Sequence, residues 1–300
     1  MNLIGETAAF ATAICWSISA IAFSISGKQI GSQSVNRIRV LVAFLLLIIV
    51  NWIFYKQPIP LSAESDRWFW LLLSGFIGLA VGDAFLFKTY QFLGARMGLL
   101  FLSLAPVFSA LFAWWFMGET LSLLQFAGML LTLVGIGWVV IARQNDIDKN
   151  EDPKDKRLGV LFGVLAAIGQ AVGLILSRQG MGGNFSPISG TLIRMIAAVL
   201  ALWSLAFLQK KAIPTLVTAY KNKTATSWIT IGSVFGPVIG VSLSLLAIQH
   251  AKIGVVSTII ALPPVLILPV SYFVFKERFG WQAIAGTLLS IAGVAILFMK

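Results

Sequence analysis

Of the 11 acidic residues in this 300-residue chain, Asp83 alone lies deep inside an apolar run, FIGLAVGDAFLFK, residues 76–88. A carboxylate in that setting can pair with a cationic or amine-bearing substrate, take up and release a proton, or act as a buried hydrogen-bonding group with Arg39 or Arg194 as candidate partners. On a helix, Phe87 falls about 40° from Asp83 and Tyr90 about 20° to the other side, so the three share one stripe; Lys88, roughly 140° around, does not. Trp16, Ser17, Ser103, Gln170 and Ser257 are the other polar or amphipathic residues expected at similar depth. Together they suit a mostly apolar cavity with a few orienting contacts. A central Asp costs about 2.5–3.5 kcal/mol on insertion scales and each Leu or Phe returns about 0.3–0.6, so the segment can insert provided Asp83 faces protein.

Other chemistry is poorly supplied. One histidine, His250, and one cysteine, Cys15, give no metal set, no internal disulfide and no nucleophile with its base, so neither a metal, a cofactor nor an enzyme is expected. GMGGN at 180–184 lacks a following Lys-Ser/Thr and reads as a turn, not a phosphate loop.

The elements that must position these residues are membrane helices. The chain is 58% hydrophobic and only 11% charged, with mean hydropathy +0.92. Its net charge of +11 resides mainly in short segments between apolar runs, where bases meet lipid headgroups, and this excludes a nucleic-acid partner. Because a helix needs about 20 apolar residues to cross, the runs predict ten spans: 5–26, 34–54, 68–93, 97–117, 122–142, 158–178, 188–208, 226–249, 254–275 and 281–299. The first has no basic leader and is too long for a cleavable signal, so it is expected to be retained. The segment RQNDIDKNEDPKDKR, 143–157, is a solvated linker that divides the chain into units 1–142 and 158–300.

The two units are related. At an offset of 158, Gly82 matches Gly240, Pro106 matches Pro264, Glu119 matches Glu277, Gly128 matches Gly286, Thr132 matches Ser290 and Gly135 matches Gly293. RIRVLVA (37–43) resembles LIRMIAA (192–198) at an offset of 155, which pairs Arg39 with Arg194. Asp83 corresponds to Val241, so the duplication did not retain the acid. Five crossings per unit force the second to enter from the opposite side, giving an all-α inverted repeat. Gly128, Gly135, Gly286 and Gly293 form small faces for close helix approach. Glu119 and Glu277 are expected to cap the helix that follows each. Pro106 in the middle of the fourth helix and Pro263, Pro264 and Pro269 in the ninth should break or kink them. Arg39 and Arg194, near helix starts, are expected to snorkel to headgroups.

These residues carry a resemblance. Ala95, LSLAPVFSALFAWWFMGE (102–119), Gln125, Gly128 and Gly135, with Ala251, Ser257, LPP (262–264), Glu277, Gly286 and Gly293, resemble the EamA-type members of the drug/metabolite transporter superfamily. KER before the last helix departs from the usual Gly-Glu of that turn. The resemblance implies a secondary carrier of small metabolites, amino acids or related compounds, that works by alternating access and often outward. It implies a multi-pass protein of the plasma or inner membrane, with a small-molecule substrate and lipid as its partners; a coupling proton is the partner that the proton-carrying reading of Asp83 would add. It also implies a cavity built from the first, third, fourth, sixth, eighth and ninth helices, which places Trp16, Asp83, Phe87, Tyr90, Ser103, Gln170 and Ser257 along its wall. The resemblance would put both termini in the cytoplasm, whereas the excess of basic residues in loops after odd-numbered helices would put them outside. A channel or passive pore is the alternative reading, and a membrane-embedded enzyme a more remote one.

Overall fold

The computed structural model describes residues 3–142, 153–267 and 280–298. Glu277 and Pro269 lie outside the described residues, as does the side chain of Tyr90. Among the described residues there are helices and no strands. Six helical runs are long and apolar enough to cross a bilayer: Ile4–Ile30, Ser32–Tyr55, Ser65–Thr89, Arg157–Gly180, Pro187–Leu208 and Lys223–His250. Four shorter apolar helices accompany them, Ala105–Met117, Leu123–Trp138, Ile253–Ile267 and Ile284–Leu297. Large apolar side chains such as Trp52, Phe54, Trp114, Trp115, Phe116 and Leu288 point outward, as a lipid-facing surface requires.

In chain order the first helices are α1 (Ile4–Ile30), α2 (Ser32–Tyr55) and α3 (Ser65–Ser74). A π-helical stretch, Gly75–Gly82, joins α3 to α4 (Asp83–Leu102), and α5 (Ala105–Met117) and α6 (Leu123–Ala142) complete the first half. The second half holds α7 (Pro153–Gly180), α8 (Pro187–Leu208), α9 (Ala212–Lys221) and α10 (Lys223–Ser233). A second π stretch, Val234–Gly240, leads into α11 (Val241–His250), followed by α12 (Ile253–Ile260) and α13 (Trp281–Phe298). The two π stretches end on Gly82 and Gly240, which are 158 residues apart. A π turn inserts one extra residue per ring and re-aims the side chains beyond it, here Asp83 in one half and Val241 in the other.

Two boundaries differ from expectation. Where a loop was predicted between 93 and 97, the helical assignment runs on through α4, yet the chain changes direction: Gly159 of α7 abuts Leu93, and Gly163, farther along α7, abuts Phe101. The amphipathic α9 was not predicted, because its ten residues are too few to register as a span.

Of the two expected outcomes, a break or a kink, the structure shows a break at Pro106 and at Pro263 and Pro264. The helix is interrupted at 103–104 and α5 begins with Pro106 in its first turn; likewise α12 stops before 261–262 and helix resumes at Pro263. Proline suits a first turn, where its missing N–H would have had no intrahelical partner. Each break is closed by the same bonds: Leu104 N donates to Phe101 O (3.0 Å) and Val107 N to Leu104 O (3.0 Å), while Leu262 N donates to Ile259 O (3.2 Å) and Val265 N to Leu262 O (2.9 Å). Every member of the second set is 158 residues from its counterpart.

Helices α6 and α13 pack backbone against backbone and run antiparallel. A Cβ on Gly128 would lie 2.9 Å from Gly293 O, one on Gly135 2.6 Å from Gly286 O, and Ser290 Oγ donates to Thr132 O at 3.4 Å. Exchanging residues at the 158 offset maps this contact set onto itself. Helices α2 and α8 are also antiparallel neighbours, joined by Ser189 Oγ to Asn51 Oδ1 (2.7 Å) at one end and Trp203 Nε1 to Arg37 O (3.1 Å) at the other.

Candidate functional site

Asp83 is 6% exposed and opens α4 where the first π stretch ends. The helix backbone there is brought unusually close to α7: a Cβ on Gly169 would sit 2.9 Å from Gly82 Cα, and one on Gly173 2.8 Å from Gly78 Cα. Side chains larger than hydrogen would push α7 away and withdraw its Gln170 from the carboxylate.

With the helices in contact, Gln170 Nε2 donates to Asp83 Oδ1 at 2.8 Å and to Gly78 O at 3.3 Å. The second carboxylate oxygen accepts from Arg39 Nη2 of α2, making an ion pair. Arg39 is itself fixed: its Nε donates to Asn36 Oδ1 at 2.8 Å, and its guanidinium lies 5.7 Å from the ring centroids of both Phe23 and Phe87. Ser233 Oγ, at the start of the second π stretch, donates to Arg39 O at 3.3 Å. Arg194 of α8 completes the charged group: it is 5% exposed, its charge interacts with that of Asp83, and a Cβ on Gly78 would lie 3.5 Å from its Nη2. The expectation that Arg39 and Arg194 reach headgroups is therefore corrected. Both point into the bundle, because helix α2 begins at Ser32 and α8 at Pro187, leaving each arginine seven residues inside its helix.

Of the residues singled out from sequence, the structure brings Asp83, Phe87 and Gln170 together. Trp16 packs against Gly240, the counterpart of Gly82, with its indole 2.6 Å from where a Cβ would stand. Ser17 and Ser257 are buried but donate to their own helices, at Ala13 O (2.7 Å) and Gly254 O (3.2 Å). Ser103 is buried in the first helix break. Arg39 is the site member that sequence reasoning undervalued, although its position in a repeated motif was a visible signal.

Glu119 holds a helix N-terminus, but not that of the next helix in sequence. Its Oε2 accepts from Ile253 N at 2.9 Å, the first residue of α12 in the other half. The following helix is served by a local box instead, in which Gln125 N donates to Ser122 Oγ (3.2 Å) and Ser122 N to Gln125 Oε1 (3.1 Å).

Two open clefts lie elsewhere, one lined by Gln29, Thr218 and Lys223, the other by Ser62, Glu64, Arg67 and Phe185. Neither is lined by a member of the Asp83 cluster. At the second, Arg67 lies 5.1 Å from the Phe185 ring centroid and pairs with Glu64 at 3.3 Å, tying the start of α3 to the loop before α8.

Chain comparisons agree with this architecture. The model of the EamA-like transporter family matches twice, over residues 3–141 and 157–299. An uncharacterized transporter from Synechocystis sp. is 23% identical over 254 residues, covering 79% of this chain and 73% of the relative. A crystal structure of a protein superposes with a TM-score of 0.77 at 17% identity, over 98% of this chain and 96% of the other, which establishes the likeness of fold.

Proposed function

The chain belongs to the EamA-like transporter family, and on that premise we propose that it is a secondary carrier that exports a small metabolite by alternating access. The reading takes the ten apolar helices, six long and four short, as ten crossings arranged in two inverted five-helix units, 1–142 and 158–300. Support comes from the antiparallel packing of α6 on α13 and from paired π stretches and paired helix breaks at one constant offset. Inverted units give a carrier two conformations related by exchange of roles, which a simple pore does not need.

One observation carries the assignment of the site: a buried ion-paired carboxylate, Asp83, is held jointly by Arg39 of the first half and Gln170 of the second. Charged groups so deep in a membrane protein sit on substrate or ion pathways. Movement of one half against the other must stretch or break these bonds, so the cluster is coupled to the transition that exposes it. Phe87 and Trp16 supply apolar walls, and Ser17, Ser103 and Ser257 supply hydroxyls that a substrate can recruit from their helical partners.

Purified protein in proteoliposomes should show saturable uptake that is accelerated by unlabelled substrate on the opposite side. A flux that neither saturates nor shows counterflow would identify a pore instead.

A further inference from the structure

Resting on the carrier reading, we propose that the transported solute is a carboxylate anion and that Arg194 is the group that receives it. The charge inventory of the cluster is uneven. Among the described residues it holds two guanidinium groups, Arg39 and Arg194, against one carboxylate. Asp83 is already engaged on both oxygens, Oδ2 by Arg39 and Oδ1 by Gln170, and its charge is offset by Arg39, so the cluster favours an incoming anion over the ammonium of an amine.

Arg39 is paired with Asp83, bonded to Asn36 and flanked by two aromatic faces. Arg194 is not. Its Nε is buried with no hydrogen-bond partner, and among the described residues its side chain makes no ion pair or hydrogen bond. A guanidinium that must share one carboxylate with a second guanidinium is expensive inside a membrane protein, and a further carboxylate meets its planar fork with two parallel N–H···O bonds. One free positive charge balances one negative charge, which favours a monocarboxylate over a phosphate dianion.

Location agrees with this role. Arg194 is the repeat counterpart of Arg39, at an offset of 155, and it lies against the first π stretch that aims Asp83, its Nη2 3.5 Å from where a Cβ on Gly78 would stand. The acid was not duplicated, since Val241 stands where a second Asp83 would be. The substrate therefore supplies the carboxylate that the second half lacks.

The test uses full-length protein and three probes on one carbon skeleton, phenylpropanoate, phenylpropylamine and phenylalanine, with inorganic phosphate as a fourth. Phenylpropanoate should raise the melting temperature and be taken up saturably, with the amine and phosphate far weaker and phenylalanine between. Arg194→Gln should melt close to wild type without probe, because relief of its burial and of its repulsion with Arg39 offsets the lost attraction to Asp83, yet bind phenylpropanoate roughly 30-fold or more weakly. Arg194→Lys should retain part of that binding, and it stands in if the Gln variant fails to fold.

The proposal is overturned if the amine or phosphate binds as well as phenylpropanoate, if Arg194→Gln leaves its affinity unchanged, or if no probe shifts the melting curve. Saturable counterflow of the amine or phosphate would sink the anion assignment while leaving the carrier intact. Non-saturating flux of every probe would remove the carrier reading itself.

Discussion

Neutralising Asp83 and neutralising Arg39 should have unequal costs, although the two form one ion pair. In Asp83→Asn the carboxylate disappears and two like charges, Arg39 and Arg194, are left buried near each other. Breaking a buried pair in this way costs about 3–5 kcal/mol, most of it from the uncompensated charge. In Arg39→Gln the local charge instead falls to zero: Asp83 keeps the 2.8 Å bond from Gln170 and the attraction of Arg194. Only a charge-assisted hydrogen bond is lost, worth about 1.5–3 kcal/mol. The double variant leaves Arg194 alone, the same net charge as wild type, and its loss should fall short of the sum of the two single losses by about 1–2 kcal/mol, the coupling expected for residues in contact. Unfolding in mixed micelles, followed by the fluorescence of the 10 tryptophans, measures all four proteins. Equal losses for the two single variants, or strict additivity in the double, would refute this account of the charge balance.

Other perturbations act on the same contacts. Gly135→Leu should destabilise by about 3 kcal/mol or more, since even its Cβ would stand 2.6 Å from Gly286 O, and the loss should show as a lower unfolding midpoint. Gln170→Leu leaves Asp83 Oδ1 without its neutral donor, so stability should fall by about 1–3 kcal/mol and transport should drop more than expression. Glu119→Gln replaces a charged acceptor at the N-terminus of α12 with a neutral one and should cost only about 0.5–1 kcal/mol, read from a thermal melt.

The membrane fold was legible because hydropathy and small-residue spacing are local signals. Gly128, Thr132 and Gly135 were legible as a close-packing face from their spacing, whereas its meeting with Gly293, Ser290 and Gly286 comes from the structure. Asp83 and Gln170 were visible as polar residues in apolar runs. Arg39 and Arg194 were both candidate partners of Asp83, but which of them makes the ion pair was not visible, because Arg39 and Asp83 are 44 residues apart and the π stretch that aims Asp83 leaves no mark in hydropathy. Separation along the chain also hid the partner of Glu119, whose acceptor role depends on a helix end 134 residues away. At Pro106 the sequence left a break and a kink both open, because which of them a proline makes depends on the turn before it, here closed by Leu104 and Val107.

The central claim is that water reaches the buried cluster around Asp83 from each side of the membrane in turn. Phe87→Cys, in a chain whose single native thiol is removed by Cys15→Ser, places a reporter against Arg39. A membrane-impermeant maleimide should label that reporter both in right-side-out and in inside-out vesicles, with substrate changing the two rates in opposite directions. Labelling from one side alone, whatever the substrate, would contradict alternating access to this site.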